Sequence, residues 1–130
     1  DESVMPFEME AVPVRDKAAK KLELIVERAI RCLHINGKLS GMRFLTFAIT
    51  ETVKNPYRTD LITKDLYPAI ARRFGTTGDC VERAIRTAIR SCWENGGREK
   101  LDRMAGYHLI YCPTNTEFID LVAAYIRYCR

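Results

Sequence analysis

An all-α fold is predicted, a compact bundle of about six helices containing a helix-turn-helix, and three observations predict it. Apolar residues recur at helical spacing in one segment after another, from Leu22 to Leu33, from Met42 to Val53 and from Phe118 to Ile126. Glycine, asparagine and proline punctuate the gaps between these stretches. Within Ile62 to Glu94 a short helix, a glycine turn and a longer arginine-studded helix follow one another. A chain of 130 residues, 47% hydrophobic and 29% charged, can bury one core, so one globular domain is expected.

Taken in order, the chain opens on Asp1 to Val14, which lacks an initiating methionine. Its Met5, Pro6, Phe7, Glu8, Met9 and Glu10 resemble the tail of a receiver domain, although receivers carry a lysine where Met5 stands. Residues 1–15 are therefore expected to be a residual receiver tail or a linker, and residues 16–130 a helical domain. A fragment starting near a domain boundary, and a chain that lost its receiver and begins at Met5, both fit that stretch.

From Asp16 the stripe of Leu22, Ile25, Val26, Ala29, Ile30 and Leu33 predicts a scaffold helix, with Glu27 four residues ahead of Arg31 outside. Asn36, Gly37, Ser40 and Gly41 mark a loop. Met42, Leu45, Ala48, Ile49 and Val53 line the next helix, which Asn55 and Pro56 stop. After a connection from Pro56 to Leu61, Thr63 is placed to cap the first helix of the pair, Pro68 is tolerated near its start, and Arg72 and Arg73 end it.

Ile70, Phe74, Val81 and Ala84 are apolar where two crossing helices must touch, Ala71 keeps the crossing tight, and Gly75 permits positive φ in the turn. Thr77 or Gly78 opens the second helix; Asn95, Gly96 and Gly97 end it. Arg98 to Ala105 predicts a short helix closed by Gly106, and Tyr107 to Cys112 reads as a brief, extended connection. Thr114 and Glu117 form a capping box for a last helix striped by Phe118, Leu121, Val122, Tyr125 and Ile126.

The charge of +4 permits an anionic partner without demanding one. Five cysteines at scattered spacings, with no CxxC pair, suggest reduced thiols in a cytosol and core filling; with only His34 and His108 as imidazoles, no zinc site and no cofactor is expected. For His34 a structural or surface role is expected. No apolar run is long enough to cross a bilayer, so no membrane partner is expected. A phosphate loop, a serine elbow, a metal cluster and a cysteine–histidine pair are all missing from the sequence, which argues against an enzyme.

Charge placement says more. On the second helix Val81, Ala84, Ile85, Ala88, Ile89 and Cys92 fall on one side, with Asp79, Glu82, Arg83, Arg86 and Arg90 opposite. In a helix-turn-helix the N-terminal half of the second helix meets base edges in the major groove. Arg83 and Arg86 suit guanine, whose O6 and N7 accept from one guanidinium, and Glu82 fits a cytosine amino group or holds Arg86 one turn on. Thr76, Thr77, Arg90, Arg72 and Arg73 are candidates for the phosphate backbone. A solvated charged face, or an interaction module whose arginines contact an acidic protein, is the competing reading.

These residues also carry a resemblance. Ile62, Thr63, Lys64, Leu66, Tyr67, Pro68, Ile70 and Ala71, then Thr76, Thr77, Val81 to Arg86, Ala88, Ile89 and Trp93, resemble the effector domains of the stage zero sporulation protein A family, response regulators that govern the onset of sporulation. His34, Ile35, Gly41, Leu45, Ala48 and Ile49, Gly106 and Tyr107, and the run Pro113 to Ile119 continue it, over roughly residues 20 to 130. The resemblance implies control by a phosphorylated receiver in a two-component system, duplex DNA and RNA polymerase sigma factors as partners, activation or repression of promoters, and a homodimer on tandem sites. It further implies that the last helix, through Phe118, Leu121 and Tyr125, helps to pair two domains. The family's loop after Gly106 is longer and bears lysines, so backbone contacts made from that loop do not carry over.

Overall fold

The computed structural model describes residues 14–35, 37, 40–55 and 65–129. Among them are six helices and no strand: α1 (Val14–Cys32), α2 (Ser40–Lys54), α3 (Tyr67–Phe74), α4 (Gly78–Glu94), α5 (Arg98–Ala105) and α6 (Asn115–Cys129). The all-α bundle expected from the sequence is thus what the chain forms. The tail up to residue 13, the connection from Pro56 and the cap assigned to Thr63 lie outside the described residues.

Helix α2 is the centre of the bundle, packing on α1, α4 and α6, while α3 lies against α4 and α5 against α6. The apolar stripes meet there: Val26, Ile30, Leu45, Ala48, Ile49, Ile85, Ala88, Phe118 and Val122 are fully buried. Each large aliphatic side chain so removed from water contributes about 1.5–3 kcal/mol. In the α6 stripe Leu121 and Tyr125 stay half-buried, whereas Ile119 and Ala123, outside that stripe, are fully buried, because α6 contacts α2, α4 and α5 and so presents more than one narrow face inward.

Three details differ from the sequence reading. Ser40 and Gly41 belong to α2 and not to a loop. Glycine is a poor helix residue, but a Cβ at Gly41 would strike the Ala84 carbonyl of α4, so its bareness sets the approach of the two helices. Tyr107 to Cys112 is bent and irregular. Asp102 fixes it, accepting the Leu109 N–H at 2.9 Å with one oxygen and meeting His108 Nδ1 at 2.9 Å with the other. Those two partners, the Leu109 N–H foremost, hold the Asp102 carboxyl below its usual range. Finally, Cys92 alone of the described cysteines fills the core; Cys112 is half-buried and Cys32 and Cys80 are exposed. The last two sit outside the apolar stripes of their helices.

Helix ends follow local chemistry. Pro68 lies in the first turn of α3, where its missing N–H costs nothing. Thr114 and Glu117 cap α6 reciprocally: Glu117 accepts the Thr114 N–H at 2.9 Å and Thr114 Oγ1 accepts the Glu117 N–H at 3.2 Å.

Candidate nucleic-acid interface

Helices α3 and α4 are joined by a tight three-residue turn. Gly75 sits at φ 68°, and its N–H and that of Thr76 both reach the Ala71 carbonyl, Thr76 at 2.9 Å. A side chain at this φ would cost roughly 1–2 kcal/mol. Thr77 then takes an extended conformation and its Oγ1 accepts the Cys80 N–H at 3.2 Å, so Thr77, and not Gly78, is the cap of α4. Ile70 and Ala71 of α3 and Val81 and Ile85 of α4 are buried and belong to one core, which makes the two helices a rigid corner.

Beyond the cap, α4 is two-faced. Val81, Ile85, Ala88, Ile89 and Cys92 are buried, while Asp79, Arg83, Arg86 and Arg90 are exposed on the other side. Three guanidinium groups at spacings of three and four residues thus share one outward strip over about two turns. Glu82 is half-buried beside it, and its Oε2 receives Arg86 Nη1 at 2.7 Å. An exposed pair of this kind contributes only tenths of a kcal/mol, so its consequence is the direction it gives Arg86.

From the far end of the sequence, α6 holds this helix in place. The Asn115 Nδ2 donates to the Glu82 carbonyl at 3.1 Å and to the Tyr67 hydroxyl at 3.0 Å. Burial pushes the Tyr67 hydroxyl's pKa above its ordinary value, the Asn115 bond opposing it. Tyr67, Arg86, Arg90, Thr114 and Asn115 line a cleft of about 430 Å³ between α4 and the start of α6.

The sites read from the sequence are therefore only partly brought together. Glu82, Arg83, Arg86 and Arg90 form one strip that starts a turn after Thr77. Thr76 is half-buried in the turn. Arg72 is exposed at the end of α3, whereas Arg73 turns away from the strip, its guanidinium 5.7 Å from the Phe47 ring centre and 5.6 Å from that of Phe74. Phe118 is fully buried in the chain's own core and so offers no surface to a second copy; Leu121 and Tyr125 remain partly exposed.

Sequence reasoning missed Asn115, Tyr67 and Cys80. Asn115 and Tyr67 lie 48 residues apart, with no local signal linking them. Cys80 was legible, being one turn ahead of Arg83 in the first turn of α4. The Thr77 and Thr76 hydroxyls, with Arg83 adding its charge, hold its pKa below the ordinary thiol value.

Among the described residues no group of three or more histidine, cysteine or acidic side chains is placed to hold a metal ion. Nor is any helix among those residues long and apolar enough to cross a membrane. Compared with known families, residues 25–126 match the family described as "Sporulation initiation factor Spo0A C terminal".

Proposed function

Because the chain belongs to the family of sporulation initiation factor Spo0A C-terminal domains, we propose that it is a sequence-specific binder of double-stranded DNA that regulates transcription, with α4 as its reading helix. The observation that carries this reading is the exposed strip of Arg83, Arg86 and Arg90, set on a rigid two-helix corner directly beyond the Thr77 cap. An α-helix fits the major groove, and a planar guanidinium matches the O6 and N7 acceptors of guanine there.

In this reading Arg83 and Arg86 contact base edges, and Glu82 aims Arg86 or accepts from a cytosine amino group. Thr76, Thr77, Arg90, Arg72 and Arg73 meet phosphates and set the register. Leu121 and Tyr125 are the accessible part of a surface that pairs two copies on tandem sites. A sigma factor as further partner, control through a phosphorylated receiver and a cytoplasmic location belong to the same proposal.

The test uses duplexes enriched by the chain from a random-sequence pool, compared with scrambled duplexes at several salt concentrations. Arg83→Ala is expected to cost about 1–3 kcal/mol on the enriched duplex and to relax preference at one base position. Arg90→Ala is expected to weaken both duplexes alike. Equal losses on both duplexes for Arg83→Ala would remove Arg83 from the reading role, and no enrichment at all would favour an acidic protein as the partner of the arginine strip.

A further inference from the structure

A second basic feature lies away from the α4 strip. Between α1, α2 and the end of α3 runs a groove of about 410 Å³, with Phe47 and Phe74 in its wall. Phe74 is an aromatic hub: its ring centre is 5.4 Å from that of Phe44 and 6.3 Å, edge-on, from that of Phe47. Two arginines rest on this hub. Arg43, from the first turn of α2, places its guanidinium 4.8 Å from the Phe74 ring centre, and Arg73 approaches the same ring at 5.6 Å.

A guanidinium laid on a ring uses its face and keeps its N–H edge for acceptors. Two such cations drawn to one ring also repel each other, and an anion shared by their edges relieves that repulsion. Two acids of α1, Glu23 and Glu27, line the groove wall, and Glu27 is engaged with Arg31 at 3.6 Å. Arg73 precedes the Thr77 cap by four residues, no more than about 14 Å of chain. Phosphates recur every roughly 3.4 Å of rise along one DNA strand, so a duplex seated on α4 keeps some of them within that distance.

We propose that Arg43 and Arg73, braced on the Phe74 ring, clasp a DNA backbone phosphate flanking the bases read by α4. The clasp rests on the DNA-binding reading and adds Arg43 and its aromatic support to it. It carries no sequence information and contributes affinity to every duplex.

The full chain, Arg43→Ala, Arg73→Ala and the double variant are titrated against the enriched and scrambled duplexes over a salt series. Arg28→Ala, an exposed arginine outside the groove, controls for the lost charge. Each clasp variant is expected to bind both duplexes roughly threefold or more weakly and to lower the salt slope by about one, with base preference intact. The double variant is expected to lose little beyond either single one, because one phosphate is shared. An unchanged slope for Arg43→Ala, or one matching Arg28→Ala, would overturn the clasp while leaving the reading helix standing. A wild-type chain that binds no duplex would overturn both.

Discussion

The side-chain amide of Asn115 donates to the main-chain carbonyl of Glu82, 3.1 Å away, and so ties the first turn of α6 to α4 directly before Arg83. The same amide reaches the Tyr67 hydroxyl, so α3, α4 and α6 meet at one side chain. Asn115→Ala leaves a half-buried bridge unmade and is expected to destabilise the fold by about 1–3 kcal/mol. Trp93, the only tryptophan, reports the unfolding by fluorescence. Because α4 loses a support at its reading end, the variant is also expected to lose more affinity for an enriched duplex than for a scrambled one. An unchanged midpoint and unchanged discrimination would show that the bridge supports nothing.

Gly41 gives a test in which packing and helix propensity have opposite signs. Alanine normally gains roughly 0.5–1 kcal/mol over glycine inside a helix. At Gly41 its Cβ would lie 2.9 Å from both the Ala84 carbonyl carbon and the Ala88 Cβ, so α2 must move away from α4. Gly41→Ala is therefore expected to destabilise by about 1–3 kcal/mol net, as overpacked cores do. At Gly37 a new Cβ would meet the Met42 sulfur at 3.4 Å and the end of Arg31, both movable side-chain atoms. Gly37→Ala should shift the urea midpoint far less, and the reverse order would contradict this packing.

Local signals explain how much of this was legible beforehand. The stripes of α1 and α2, the Gly75 turn and the Thr114–Glu117 box are short-range patterns that emerged where the residues placed them, whereas the α6 stripe did so only in part. Gly41 was misplaced because glycine beside serine signals a loop, and only the neighbouring helix reveals why a bare residue is needed there. The strip of Arg83, Arg86 and Arg90 was readable because helical periodicity fixes which residues share a face. The place of Arg73 was not, since the two rings it lies against include Phe47 of another helix. Nor could the sequence separate Phe118, which the core takes, from Leu121 and Tyr125, which it leaves partly exposed.

His34 occupies a backbone conformation that glycine suits better. It lies at φ 65° just after α1, its N–H reaching the Arg31 carbonyl at 3.1 Å, and Ile35 then turns into the core. This is the left-handed position that commonly ends a helix. The exposed imidazole is therefore held on a strained backbone, and the structural role expected for His34 is a main-chain one. His34→Gly is expected to stabilise the fold by about 1 kcal/mol, measured by urea unfolding. A loss of stability would mean that the imidazole makes contacts outweighing the strain.

Cys92 makes the fold sensitive to alkali. Burial, with Cys112 adding to it, pushes its pKa from 9.0 up to about 12. The unfolded chain releases that proton near pH 9, while the folded one retains it. The thiol's contribution is thus fully present below pH 9 and is lost as the pH rises toward about 12. Tyr67, also raised by burial, acts with the same sign above its ordinary value of 10.0. Cys92→Ala should cost about 1 kcal/mol or more at neutral pH through the small cavity it leaves. Between pH 9 and 11, however, its stability should fall less steeply than that of the parent, both measured by urea unfolding under reducing conditions. Iodoacetamide at neutral pH should meanwhile label Cys80, whose thiol is exposed and lowered by the Thr77 hydroxyl, and leave Cys92 untouched until denaturant is added. Parallel pH curves for parent and variant, or early labelling of Cys92, would show that this thiol is not sealed in the core.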